Sequence, residues 1–93
     1  MTIVINEKAK AKIKPYPNYK VILINDEVNT FDHVEICLIK YIPGMTRSKA
    51  QALALETHNQ GLAVVWVGPR EQAELYYELL KQEGLTTSIE EDV

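Results

Sequence analysis

An apolar run that stops at a group of polar turn residues limits the possible folds of this chain more than any other feature. The run from Val21 to Ile24 contains no polar position, which is typical of a strand buried on both faces. Asn25, Asp26 and Asn29 follow at once, and residues of these types favour turns and helix N-caps. The chain is therefore predicted to leave a sheet at Asn25 and to begin a helix capped by Asn29, with several side-chain oxygens gathered at that junction.

Apolar spacing and helix-breaking residues divide the rest of the chain. A helical stripe follows the junction and consists of Phe31, Val34, Leu38, Tyr41 and Ile42. In chain order, we predict a strand over 19–24, a helix over 30–42, a helix from Thr46 to about Asn59, a strand over 62–67, a helix that opens at Gly68-Pro69 with the proline at N1 and ends at Gly84, and an edge strand that includes Leu85, Thr87 and Ile89. The order β-α-α-β-α-β predicts an α+β fold with two layers, a three-stranded sheet with the helices on one side.

The composition indicates one small intracellular domain. A chain of 93 residues suits a single core, and we find neither a membrane-spanning stretch nor a signal or transit peptide. Cys37 is the only cysteine, which excludes an intrachain disulfide and agrees with a reducing compartment.

Charge is unevenly distributed along the chain. Residues 1–20 carry five lysines and one acidic residue, whereas the remaining segment is acidic, which argues against nucleic-acid binding. We therefore expect a flexible basic arm over residues 1–18, followed by a single domain over residues 19–93. Whether the arm only keeps the protein soluble or contacts a partner is left open by its composition.

Catalysis and metal binding are weakly supported. His58 could pair with Asp26, but the chain has no Gly-x-Ser-x-Gly turn and its one cysteine lies within a predicted helix, so we do not expect an enzyme. His33 and Cys37 are spaced i,i+4, yet a zinc site needs three or four ligands, and the acidic residues after the first strand lack the glycine of a calcium loop. No metal and no cofactor are expected. Trp66 is assigned to packing, and of the adjacent Tyr76 and Tyr77 one should face outward.

Four segments together resemble the ClpS family, whose members are adaptors that deliver substrates to Hsp100-type AAA+ unfoldases of the Clp protease. They are YKVILINDE at 19–27, PGMT at 43–46, THNQGLAVVW at 57–66 and EQAELYY at 71–77. The second and third look most like cyanobacterial and plastid members. The resemblance implies three helices on a three-stranded antiparallel sheet, and a cytoplasmic protein of a cyanobacterium.

The resemblance also implies a binding site for the first residue of substrates that begin with a bulky hydrophobic amino acid, the N-degron. Asn25, Asp26 and His58 would hold the free α-ammonium group, which has three donors and no acceptor. The pocket for the first side chain would be formed by Phe31, Val34, Leu53, Ala54, Thr57 and Leu85. Phe31 and Ala54 stand where the family often has methionine, and we expect the stiff ring to shorten the pocket and favour leucine over aromatic residues.

By the same resemblance, the face that bears Glu71 and Tyr76 would dock on the N-domain of a ClpC-type or ClpA-type unfoldase. Tyr76 replaces a lysine common in the family, so this chain's choice of unfoldase stays open. The arm would be engaged by the unfoldase during delivery. Two alternatives remain: a structural or regulatory domain that docks on the unfoldase without binding N-degrons, and a small enzyme that uses His58.

Overall fold

The computed structural model describes residues 16–93, and the first fifteen residues of the predicted arm lie outside this range. The elements, in order, are β1 (Tyr19–Ile24), α1 (Phe31–Tyr41), α2 (Arg47–Gln60), β2 (Leu62–Gly68), α3 (Arg70–Gln82) and β3 (Thr87–Glu91). This is the predicted order, and the bounds of β1 agree to the residue. No helix within the described range is both long and apolar enough to cross a lipid bilayer.

The sheet has the strand order β2-β1-β3, and β1 pairs antiparallel with both neighbours. The central position of β1 explains its continuous apolar run, because Val21, Ile22 and Leu23 are all buried. Side chains of β1 alternate between the two faces of the sheet. Val21 and Leu23 belong to the core beneath the helices. On the other face, the Lys20 Nζ atom forms an ion pair with a Glu90 carboxylate oxygen at 3.7 Å. The predicted α+β architecture is confirmed.

A β-bulge in β2 fixes how the sheet meets α3. Val21 pairs with Trp66 and Ile22 pairs with Val64, so Val65 is the extra residue of β2. Val65 and Trp66 therefore both contact the core, although they are consecutive. The Trp66 ring lies edge-on to Tyr76 with the ring centroids 4.9 Å apart. Tyr76 and Tyr77 are both half-buried against the core, so the expectation that one of them faces outward is wrong.

Two helix starts differ by one residue from their predicted positions. Thr30, not Asn29, caps α1, and its hydroxyl accepts from the His33 backbone N–H at 3.1 Å. Pro69 is the N-cap of α3 and not its first helical residue. Thr46 caps α2 as predicted, and Gly61 ends that helix with a φ of 94°, a left-handed conformation that favours glycine. Asn29, the predicted cap of α1, has hydrogen-bond partners elsewhere, in the candidate functional site.

Candidate functional site

A cavity of about 390 Å³ opens where β1 ends, between the β1–α1 loop, the C-terminal half of α2 and the loop that leads into β3. Its walls are Leu23, Ile24, Asn25, Asp26, Glu27, Asn29, Thr30, Phe31, Val34, Ala54, Thr57, His58 and Leu85. Two backbone hydrogen bonds tie the end of β1 to both sides of this opening. The Ile24 N–H donates to the Thr86 carbonyl at 2.8 Å, and the Asn25 N–H donates to the Gly61 carbonyl at 2.9 Å.

The Asp26 carboxylate organises the β1–α1 loop. One oxygen accepts from the backbone N–H groups of Val28 at 2.9 Å and Asn29 at 2.8 Å. The other oxygen accepts from the Asn29 side-chain amide and from the Thr86 hydroxyl, both at 2.9 Å. A carboxylate has about four lone-pair sites, so the described contacts occupy all of them. Asp26 therefore carries its negative charge at a fixed position in the cavity wall.

These hydrogen bonds also determine the ionisation of Asp26. Partial burial by itself would raise the pKa of this carboxyl, but the donors from Asn29, Thr86 and Val28 stabilise the charged form and outweigh it. The net result lowers the pKa to about 2. Asp26 is thus an anion throughout the neutral range, which is the state that attracts a cationic ligand.

Asn29 joins two loops that are far apart in the sequence. Its side-chain amide donates to Asp26 and also to the Gly84 carbonyl at 2.9 Å. The side chain of Asn29 is thus held by Asp26 and by the α3–β3 loop, and the hydroxyl of the next residue, Thr30, accepts the capping hydrogen bond of α1. The sequence pattern missed this bridge, since a helix N-cap is recognisable locally whereas a partner 55 residues away is not.

Asn25 and His58 line the same cavity as Asp26. Both residues are exposed, so their side chains are accessible to a ligand from solution. The Phe31 ring meets the His58 ring edge-on, with the centroids 5.4 Å apart, and Phe31 is 47% exposed. Phe31 therefore lines the cavity with its ring partly in solvent and in contact with His58.

The deeper walls are apolar and buried. Ala54 and Leu85 are 4% and 3% exposed, and Val34 packs against the core. Thr57 is buried as well, but its hydroxyl donates to the Leu53 carbonyl at 2.8 Å, so no unpaired donor is left facing the cavity. The wall of the cavity therefore combines a fixed anion and exposed polar side chains with buried apolar side chains.

The structure does not bring Leu53 to this cavity. Leu53 lies in a second cavity with Pro43, Gly44, Met45, Lys49, Ala52 and Val65. Leu53 is rotated by about 100° from Ala54 on α2, at the edge of the face that Ala54, Thr57 and His58 present to the first cavity, and its side chain lines the second cavity instead. The other residues predicted for the pocket and for the α-ammonium group all line the first cavity.

The residues predicted for docking lie on a different part of the surface. Glu71 is exposed in the first turn of α3, on the helix that follows β2. Tyr76 is half-buried, with its ring against Trp66, so it contributes to packing and offers only part of its side chain to a partner. Neither residue belongs to the wall of the first cavity.

Comparisons with known proteins agree on one family. The family model described as ATP-dependent Clp protease adaptor protein ClpS matches residues 14–88. The chain is similar to the ClpS adapter protein of a Synechocystis species, with 62% identity over 73 residues that cover 78% of this chain and 74% of the relative. The ClpS adapter protein of Thermosynechococcus vestitus is 54% identical over 85 residues, which cover 91% of this chain and 90% of the relative.

A solved structure gives the same result for the fold. It is Agrobacterium tumefaciens ClpS2 bound to L-phenylalaninamide, with a TM-score of 0.74 and 28% sequence identity, and the match covers 82% of this chain and 98% of that chain. The resemblance carried by the four sequence segments, including its cyanobacterial character, is confirmed by these similarities.

Proposed function

The chain belongs to the ClpS family, whose members are adaptors of the Clp protease and not enzymes, and from this we propose that its cavity binds the first residue of substrate proteins that begin with a bulky hydrophobic amino acid. The observation that supports the proposal is the composition of the cavity wall, which combines Asp26, Asn25 and His58 with buried apolar side chains. A free N-terminal residue has the matching arrangement, because its ammonium group and its side chain leave the same carbon atom. The relative solved with L-phenylalaninamide holds a ligand of this class.

The α-ammonium group would bind beside Asp26 through charge and hydrogen bonds. It would accept nothing and donate three hydrogen bonds, to the Asp26 carboxylate, the Asn25 side-chain oxygen and the unprotonated His58 nitrogen. Since the Asp26 oxygens are already occupied, the ammonium group would displace the neutral donor of Thr86, whose hydroxyl is exposed. The ammonium group adds a positive charge next to the Asp26 carboxylate, which the neutral Thr86 hydroxyl does not, so this exchange is favourable. The Asn25 NH₂ group could then donate to the first peptide carbonyl.

The first side chain would be buried against Val34, Ala54, Thr57 and Leu85. Burial of one leucine side chain contributes about 1.5–3 kcal/mol, and each charge-assisted hydrogen bond contributes about 1.5–3 kcal/mol. These gains must offset the cost of association, so we expect an affinity on the order of micromolar, which suits an adaptor that must release its cargo. Because the Phe31 ring lines the cavity and would shorten it, leucine should bind more tightly than phenylalanine, tyrosine or tryptophan.

Fluorescence anisotropy of labelled peptides tests this binding. Peptides that begin with Leu, Phe, Tyr, Trp, Met or Ala are compared with N-acetyl-Leu, and the wild type is compared with Asp26→Ala. We expect saturable binding of free bulky N-termini that is lost on acetylation, because acetylation removes the positive charge and the hydrogen-bond donors that Asp26, Asn25 and His58 would accept from, and a hydrogen bond to a charged group contributes about 1.5–3 kcal/mol. Equal or tighter binding of the Phe-initial peptide would overturn the preference for leucine. If none of these peptides binds, the proposal is overturned.

As part of the same proposal, the bound substrate is delivered to a Clp AAA+ unfoldase of the ClpC or ClpA type in the cytoplasm. Docking would use the exposed start of α3, where Glu71 is accessible. Glu71→Lys should weaken binding to the isolated unfoldase N-domain and leave the binding of Leu-initial peptides unchanged. Glu90→Lys, on the sheet, is the matched control. If both variants bind the N-domain as the wild type does, this docking surface is wrong.

The occupied Asp26 oxygens favour one alternative, a domain that docks on the unfoldase without binding N-degrons. In that case the four hydrogen bonds of Asp26 only hold the loop together. The peptide series separates the two functions, because the alternative predicts N-domain binding and no peptide binding.

A further inference from the structure

A second cluster of metal-ligating side chains lies behind the cavity, where the C-terminal end of α3 meets α1. His33 and Cys37 are one turn apart on α1, and Glu83 is the residue that ends α3. One ligand atom from each residue lies within 4.8 Å of the other two. Among residues 16–93 no other group of three such residues comes together in this way. We propose that His33, Cys37 and Glu83 bind a divalent transition-metal ion of the zinc type.

The distances are close to those that such an ion needs. The Cys37 sulfur lies 3.9 Å from the His33 Nδ1 atom, which is the ring nitrogen left to bind the ion. Zinc binds sulfur at about 2.3 Å and imidazole nitrogen at about 2.0–2.1 Å, so two such ligands of a tetrahedral site are separated by about 3.6 Å. A thiolate, an imidazole and a carboxylate form a mixed ligand set that zinc accepts, with water at the fourth position.

The His33 ring is already held in the orientation that a ligand needs. Its Nε2 atom is 2.8 Å from the Glu83 carbonyl oxygen, and because a carbonyl only accepts, this nitrogen carries the hydrogen. The lone pair of the neutral ring is then on Nδ1. Metal-ligating histidines usually donate their other N–H to a carboxylate or a backbone carbonyl, which fixes the ring. The hydrogen bond to Glu83 is a contact of that kind.

The other two ligands differ in what the ion must displace. Glu83 is ionised, since the Tyr41 hydroxyl donates to it at 2.5 Å and this contact lowers its pKa, aided by Lys40 at 3.7 Å. Lys40 is a competing cation that the metal must replace. Cys37 is buried, and burial raises the pKa of its thiol. On binding, the thiol releases its proton to water, and the sulfur lone pair forms the bond to the metal.

An ion bound to His33, Cys37 and Glu83 would connect α1 to the segment that follows α3. Gly84 and Leu85 come directly after Glu83, and they contact Asn29 and the cavity respectively. The ion would therefore stabilise the wall of the cavity from behind, at a site that does not depend on which ligand the cavity takes.

Titration with Co²⁺ under a non-coordinating reductant tests the site, because a thiolate bound to Co²⁺ gives a charge-transfer absorption band. We expect saturation at one ion per chain and loss of the band in Cys37→Ala. His33→Gln and Glu83→Gln should weaken binding by more than about 100-fold, beyond the 10- to 100-fold loss typical of an outer-shell partner. The chain has only two histidines, so His58→Gln is the matched control and should bind Co²⁺ as the wild type does.

A gain of affinity provides a result that a misfolded variant cannot imitate. Lys40→Gln removes the competing cation from an exposed ion pair, so Co²⁺ should bind about two- to fivefold more tightly. Zn²⁺ should also raise the unfolding temperature of the wild type and not that of folded Glu83→Gln. The site is overturned if the wild type shows no saturable band, or if His33→Gln and Glu83→Gln bind Co²⁺ as tightly as the wild type.

Discussion

At the scale of single residues, the proposed binding depends most on Asp26. Its carboxylate is held by Val28, Asn29 and Thr86, and the same hydrogen bonds that fix its position keep it ionised. A fixed anion beside an apolar wall distinguishes a free N-terminus from an internal residue, because only the free N-terminus brings a positive charge next to its side chain. The way this carboxylate is held should therefore affect both peptide affinity and the stability of the fold.

Thr86→Val should increase affinity for a Leu-initial peptide. The substitution keeps the shape of the side chain but removes the hydroxyl that donates to Asp26 at 2.9 Å, so the α-ammonium group no longer has to displace it. A hydrogen bond to a charged group contributes about 1.5–3 kcal/mol, and this one is exposed to solvent, which weakens it, so binding should become about two- to tenfold tighter in an anisotropy titration. Ser88→Ala, which changes a hydroxyl elsewhere on β3, is the control. Weaker binding in Thr86→Val would mean that Thr86 positions Asp26 for the ligand and does not compete with it.

The lowered pKa of Asp26 predicts how stability depends on pH. The pKa is about 2 in the folded protein and 3.8 for an unperturbed aspartate side chain, so the folded state stabilises the charged form. This contribution is present above about pH 4 and is lost as the pH falls toward 2. Allowing for partial exposure, it amounts to about 1–2 kcal/mol.

Urea unfolding of the wild type and of Asp26→Asn between pH 2 and pH 6 measures this contribution. The difference between their free energies of unfolding should be largest above pH 4 and should shrink at lower pH. Parallel pH profiles would contradict the assignment of these hydrogen bonds to the charged form.

At the scale of elements, local patterns predict the helices and strands but not the contacts between distant loops. The apolar run of β1 and the caps at Thr46 and Gly61 are local signals, and the structure confirms them. The sequence pattern assigns Asn29 to a helix cap because a local pattern cannot reveal its hydrogen bond to the Gly84 carbonyl, which joins residues far apart in the sequence. Glu83 is likewise far in the sequence from His33 and Cys37, the residues that it joins in the cluster. The spacing of His33 and Cys37 alone therefore indicates no metal site. The predicted pocket includes Leu53 because adjacent helical positions are hard to assign to one face.

The Trp66 ring in β2 leaves no room for a side chain at Gly68. A Cβ atom added at Gly68 would overlap this ring, which packs edge-on against Tyr76. Gly68→Ala should therefore lower the free energy of unfolding by about 1–3 kcal/mol, measured by urea titration. Adding Trp66→Leu should recover part of this loss, because the smaller side chain relieves the clash. Strictly additive losses would contradict the predicted contact.

At the scale of the whole molecule, the cavity and the start of α3 lie on different elements, so cargo binding and unfoldase docking are separable in the proposal. The basic arm is the third part, and residues 1–15 lie outside the described range. Deletion of residues 1–14 should leave peptide affinity unchanged and abolish degradation of a Leu-initial substrate by the unfoldase and its protease. The Glu71→Lys variant should instead fail both to bind the unfoldase N-domain and to support degradation of the Leu-initial substrate. A truncated protein that still delivers its cargo would contradict this role of the arm.

The central claim is that the cavity at the end of β1 binds a free N-terminal residue, and amide NMR shift mapping with L-leucinamide tests it most directly. We expect perturbed resonances at Asn25, Asp26, Phe31, His58 and Leu85, with no such changes on addition of N-acetyl-L-leucinamide at the same concentration. Small and equal changes with both ligands, or perturbed resonances confined to residues outside the cavity, would contradict the claim.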